Sequence, residues 1–246
     1  AAVIAAVCST AVTGDVSLQL AMIAAKIARA DFPRRWPTLL PALAEGLQSS
    51  EGVIVFHSVR CLHYVLKEQT SKRLMRDRLD FIDGVTPQLL APLSQMWSTH
   101  SSAAIAAATP TAIGPMELVL SQFFDKCLLR LLCHGFRPGK LSPEDSPAGA
   151  AVLPALLEKT NALYAALSGG CVACSGPFHT LLKGWCKLQG TQPKALLVAA
   201  PDSSPILTSV LQLSLQVLSH GPTPPQDSTA ERPALKATTP SAALRM

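Results

Sequence analysis

Seven residues, Asp31-Phe32-Pro33-Arg34-Arg35-Trp36-Pro37, constrain what this chain can fold into more than any other stretch. They lie between an apolar run holding Ile23 and Ile27 and a second holding Leu39, Leu40 and Leu43. Pro33 favours an extended conformation at Phe32 and interrupts a helix through this point, having no N–H to donate. Pro37 suits the first turn of a following helix, where no N–H is needed. Trp36 can lay its ring across the neighbouring helices as a wedge. From Val16 to Leu66 the pattern predicts one antiparallel helical hairpin followed by the first helix of the next. Such a unit cannot bury its apolar face alone and must stack on neighbours.

Ala1–Val12 reads as the end of an earlier helix, and Gly14-Asp15 as a stop followed by a cap. Helix Val16–Arg29 carries Val16, Leu20, Ile23 and Ile27 on one face, taken as the apolar face it packs by. The next helices are Pro37–Gln48, with Leu39, Leu40, Leu43 and Leu47 inward, and Val53–Gln69, with Val55, Val59, Leu62 and Leu66 inward. Ser71 is placed to cap a long helix, Lys72–Trp97, which Gly84 and Pro87 should bend or divide. Residues 98–115 are rich in Ala, Ser and Thr with two prolines and read as a loop or insertion. Further helices follow at Met116–His134, Val152–Leu167, Pro177–Leu188 and Ser204–Leu218. Residues 221–246, without periodicity, read as a disordered tail. Two helical regions, 1–97 and 116–220, thus flank the loop.

Short polar breaks between helices, a loose period of roughly 40 residues and no βαβ unit point to an all-α solenoid of stacked antiparallel pairs, the HEAT-repeat architecture, incomplete at both ends. A compact helical bundle is the alternative. Aromatic residues are 5% and charged residues 15% of the chain, which suits helices packed through many aliphatic contacts. The net charge of +5 is spread along the chain, +2 before residue 101 and +3 after it, rather than gathered as in a nucleic-acid binder. No apolar run reaches the roughly 20 residues that span a bilayer. The first residue, Ala1, is not an initiating Met, so the chain reads as a piece of something larger.

Seven cysteines, an odd number, stand mostly among aliphatics, where a free thiol is a small hydrophobe, and fit a reducing compartment. Four groups, Cys171, Cys174, His179 and Cys186, follow the order of a zinc knuckle, but the last gap is longer and reads as helix. They remain an outside candidate for metal; the reading is no metal and no cofactor. No glycine-rich phosphate loop or paired carboxylate pattern suggests catalysis.

The segment Ile23-Ala-Ala-Lys-Ile-Ala-Arg-Ala-Asp-Phe-Pro-Arg-Arg-Trp-Pro-Thr-Leu-Leu-Pro-Ala-Leu43 resembles the importin-β (karyopherin-β) family of nuclear transport receptors. Its Ile-Ala-x-x-Asp-x-Pro-x-x-Trp-Pro-x-Leu-x-Pro-x-Leu pattern is that of the family's early HEAT array. Val65–Arg78 and the helix ending at Trp97 look most like the importin-eleven branch, while Leu128–Phe136 and Leu207–Leu218 extend the likeness. The resemblance implies a shuttling receptor of nucleus and cytoplasm that binds protein cargo, is switched by the GTP form of Ran, and touches Phe-Gly nucleoporins. It implies neither direct nucleic-acid binding nor membrane insertion. The family's repeats that contribute most to Ran binding are expected upstream of this stretch, in a part that this chain begins too late to contain. A helical scaffold without transport activity is the other reading.

In that family the second helix of each pair lines the concave side, the place Val53–Gln69 would take. His57, Arg60, Tyr64 and Lys67, spaced by three and four, are therefore expected as a partner-binding face. Arg34 and Arg35 beside Trp36 are a second candidate contact, against the plain reading of a packing turn. Lys72, Arg73, Arg76 and Arg78 form a third, suited to an acidic partner, although Asp77, Asp80 and Asp83 interleave with them.

Overall fold

The computed structural model describes residues 2–9, 13–109, 116–197 and 205–220. Among these there are eleven α-helices and no strand. They are α1 (Ala2–Val7), α2 (Gly14–Asp31), α3 (Leu39–Leu47), α4 (Gly52–Thr70), α5 (Met75–Asp80), α6 (Thr86–Ala107), α7 (Met116–His134), α8 (Pro147–Ala150), α9 (Val152–Ser168), α10 (Ser175–Thr191) and α11 (Ile206–His220). The predicted tail, 221–246, lies outside the described residues. None of the described helices is long and apolar enough to cross a membrane.

The helices stack in two layers. One runs α3–α6–α9–α11 with α1 against α3, and the other runs α2–α4–α7–α10. Rungs between the layers pair α1 with α2, α3 with α4, α6 with α7 and α9 with α10. This is the ladder of a HEAT solenoid, in which each pair covers its neighbour's apolar face. It corrects the pairing expected around Pro33. Helices α2 and α3 are not hairpin partners: both pack on α4, and the Asp31–Pro37 turn links one pair to the next. Its cis Phe32–Pro33 peptide lies in a tight reversal in which the Arg35 and Trp36 N–H groups both donate to the Asp31 carbonyl, at 2.7 and 3.2 Å. Phe32 is buried and Trp36 half-buried against the core.

Helix α2 shows why periodicity alone misplaced its inner face. The residues turned inward are Ser17, Ala21, Ala24, Ala25 and Ala28, whose small side chains let another helix approach closely. Val16, Ile23 and Ile27 are exposed instead and Leu20 is half-buried. Asp15 sits inside the first turn, where the helix dipole favours it, but makes no capping bond. The inward stripes expected of α3 and α4 are buried as expected.

Three further expectations shift. Ser71 does not open a helix; it closes α4, its hydroxyl donating to the Glu68 carbonyl at 2.8 Å. The long helix expected from Lys72 begins at Met75 and is divided near Gly84 and Pro87 by a π-helical turn, Phe81–Val85. It then continues past Trp97 through Ala107, so residues 98–107 are not a loop. Trp97, Ser101 and Ala104, at helical spacing, are buried on one face, and the intervening alanines favour helix. Residues 110–115 lie outside the description.

A buried polar cluster joins α6, α7, α9 and α10. Asp125 is fully buried; its Oδ1 accepts from Trp97 Nε1 at 2.7 Å and from Lys159 Nζ at 2.5 Å. Lys159 also donates to Ser121 Oγ at 2.5 Å, and Trp185 Nε1 donates to Thr160 Oγ1 at 3.0 Å. Burial pushes the Asp125 carboxyl up and the Lys159 ammonium down, and their mutual contact opposes both shifts. Removing one partner leaves an uncompensated charge in the core, so Lys159→Met is expected to cost about 3–5 kcal/mol. Adding Asp125→Asn, which keeps the acceptor for Trp97, should restore part of that loss in urea unfolding. A double variant no more stable than the single one would refute the ionic account.

Candidate partner-binding site

The expected face on α4 is divided by its neighbours. His57 and Arg60 are buried, at 3% and 7% relative exposure, because α4 is covered on several sides. Arg60 donates to the Gly14 carbonyl at 2.8 Å and lies over the Phe56 ring at 4.9 Å, so it is a structural link and not a contact surface. Burial, then the charge of Arg60, lowers the His57 pKa. Tyr64 is half-buried and Lys67 exposed, and only these two of the four remain available to a partner.

The other two candidate clusters are partly brought together. Arg34, Lys72 and Arg76 line one cleft of about 410 Å³ below the Asp31–Pro37 turn, with Arg29, Asp77 and Asp80. Arg35 lies outside that lining, exposed, and is 3.9 Å from Asp31. Arg73 and Arg78 line an adjoining cleft with Lys72 and His134. Arg29 itself is tied to Glu68 and Ser71, and Lys26 meets Glu68 at 2.7 Å, so α2 and α4 are also joined at their exposed edge. The first cleft is of mixed sign, its aspartates offsetting its cations.

The cysteine–histidine set does not converge. Cys171 and Cys174 are buried with their sulfurs 3.3 Å apart, while His179 and Cys186 are exposed on α10. Their spacing of seven puts His179 and Cys186 on one side of that helix, which here faces solvent. Burial, with the neighbouring Cys171, pushes the Cys174 thiol up to about 12, which opposes the thiolate form a metal requires. Among the described residues no three His, Cys, Asp or Glu side chains cluster as a metal site needs.

One groove was missed by sequence reasoning. It runs across the second-helix layer between α4, α7 and α10, about 430 Å³, and is lined by His63, Lys126, Arg130, Lys183 and Lys187. Its floor is the close approach of Gly184 to Leu129, where a Cβ on Gly184 would lie 2.4 Å from the leucine side chain. Lys126 covers the Phe123 ring at 4.7 Å, and Arg130 donates to Thr70 Oγ1 at 3.0 Å. The signal available in the sequence was a pair of cations four apart on each of two helices, Lys126/Arg130 and Lys183/Lys187.

Burial, followed by the nearby charges of Arg130, Lys126 and Lys67, lowers His63 to about 3. Burial, with Lys187, Arg130 and Arg78, lowers His134 to about 4. Folding therefore favours the neutral imidazoles. Between the unfolded value near 6.5 and these folded values the unfolded chain binds more protons, so stability is lost as pH falls through that window. The slope should be at most about 1.4 kcal/mol per pH unit for each histidine. Unfolding measured from pH 7 to pH 4 should show a shallower fall in His63→Gln; an unchanged slope would remove His63 from the account.

Among curated proteins, the chain is similar to Importin-11 of Mus musculus, 37% identical over 87 residues, and to Importin-11 of Homo sapiens, 31% identical over 87 residues. It is also similar to the importin beta-like protein kap113 of Schizosaccharomyces pombe, 34% identical over 90 residues. Each match covers 35% of this chain, which spans about 9% of the length of these relatives. No family model matches. Among solved structures, Lph2 of S. cerevisiae, described as a bidirectional nuclear transport receptor, superposes with a TM-score of 0.66 over 84% of this chain and 20% of its own, at 20% identity. That degree of identity speaks to the fold, a helical solenoid. Sequence likeness over one stretch, the Asp31–Pro37 motif within it and a shared helical-solenoid fold over most of the chain support its resemblance to the importin-β family.

Proposed function

We propose that this chain is a segment of a nuclear transport receptor, as its relatives' names suggest, and that the receptor binds protein cargo and responds to Ran-GTP, as the family resemblance implies. The observation that carries the reading is the likeness to Importin-11 over 87 residues, on a ladder whose second-helix layer leaves Tyr64 and Lys67 open to a partner. Its action is binding without catalysis. Stacked pairs touch only their neighbours, so small changes at each rung add up to a change in curvature. Ran-GTP and cargo that prefer different curvatures then displace each other. Weak contacts with Phe-Gly nucleoporins would carry the loaded receptor between cytoplasm and nucleus.

The test uses the complete receptor that contains this segment, against immobilised Ran loaded with GDP or a non-hydrolysable GTP analogue. Preference for the GTP form by at least about tenfold, equivalent to roughly 1.4 kcal/mol, is the expected outcome. Equal retention on both forms would overturn the transport reading in favour of a helical scaffold.

A further inference from the structure

The groove between α4, α7 and α10 concentrates charge that the amino-acid sequence disperses. Lys126, Arg130, Lys183 and Lys187 line it, and Lys67 lies close enough to act on the same histidine, His63. Among the described residues no acidic side chain lines it. The acids of the three helices are engaged or distant: Asp125 is buried against Lys159, Glu68 is held by Lys26 and Arg29, and α10 has none. These five cations equal the whole formal excess of 21 Lys and Arg over 16 Asp and Glu, so the remainder of the chain is balanced.

Within the fold Lys126 gains only the Phe123 ring and Arg130 only the Thr70 hydroxyl. Like charges four apart on one helix destabilise it by a few tenths of a kcal/mol, and here two such pairs face each other across a groove. No ion pair joins any of the five among the described residues. A complementary ligand would remove the repulsion.

We propose that this groove is a docking site for an acidic polypeptide segment, its Asp and Glu side chains bridging the α7 and α10 cation rows. The groove is short, about 430 Å³ between three helices, and belongs to a chain read as a receptor for proteins, which favours a peptide over a nucleic acid. Four of the five cations are lysines, whose flexible stems let each ammonium reach a separate carboxylate along an extended segment. The arginine already spends a donor on Thr70. The proposal rests on reading the second-helix layer as the binding face and states what that face binds.

The experiment is fluorescence anisotropy of a labelled ten-residue poly-glutamate peptide titrated with the full 246-residue chain, beside a labelled ten-nucleotide oligothymidylate. Saturable peptide binding is expected, weakening at least about tenfold between about 50 and about 300 mM salt. Lys183→Glu with Lys187→Glu, both exposed positions, should weaken it by at least about tenfold, with circular dichroism confirming an intact fold. Lys183→Arg with Lys187→Arg should restore it, while Arg73→Glu with Arg76→Glu in the neighbouring clefts should change it less than about twofold. Absent peptide binding, equal loss in the Arg73/Arg76 variant, or tighter binding of the oligothymidylate at the same groove would each overturn the proposal. Ran discrimination by the complete receptor is read separately, so failure here and failure of the transport reading are distinguishable.

Discussion

Helix α4 cannot hide its own surface against any single neighbour, and the architecture follows from that. Its buried residues include Val55, Val59, Leu62 and Leu66 but also His57, Ser58, Arg60, Cys61, Val65 and Gln69, which together run most of the way round the helix. Burying each large aliphatic side chain is worth about 1.5–3 kcal/mol, so three neighbours are drawn in: α2, α3 and α7. With α4 enclosed, α7 must in turn meet α6 and α10, and the ladder propagates. Enclosure also explains the polar groups that went inside with it. Arg60 keeps its charge partnered by the Gly14 carbonyl and the Phe56 ring, and Gln69 donates to the Ala28 carbonyl at 2.7 Å.

Aliphatic contacts alone would tolerate a helix sliding by one turn, because leucine meets leucine at either position. The buried polar cluster removes that freedom. Asp125 accepts from α6 and α9 at once, so a shift of one helical turn, about 5.4 Å, would strand a carboxylate, an ammonium and an indole N–H in the core. The ladder therefore combines a non-directional driving force with a directional lock. The groove lies beside that lock, its floor set by Gly184 against Leu129, so its cations are carried on helices whose register is specified.

Much of this was legible locally. The positions of α3, α4, α7, α9, α10 and α11, the break near Gly84 and the turn at Asp31–Pro37 follow from proline chemistry and a 3.6-residue period. What failed was choice of face. On α2 the stripe of large aliphatics outscored the alanines in hydrophobicity, yet close approach by α4 requires small side chains, and Ala21, Ala24 and Ala28 went inward. On α4 the polar spacing of His57, Arg60, Tyr64 and Lys67 described one helix correctly but ignored the neighbours that enclose half of it. The Ala/Ser stretch after Trp97 read as loop because its few large apolar groups hid a buried face of Trp97, Ser101 and Ala104.

By itself the sequence determined that the chain is helical, where the helices break, and which family its Asp-x-Pro-x-x-Trp-Pro stretch resembles, since each depends on residues within one or two turns of each other. Only the tertiary structure decided which helices pair, which face of α2 and α4 is covered, and that a charge excess spread along the chain gathers in one groove. His63, Lys126 and Lys183 are far apart in sequence and line one groove because α4, α7 and α10 lie side by side in one layer. Stacking is a property of whole faces meeting, and no single helix's pattern contains it.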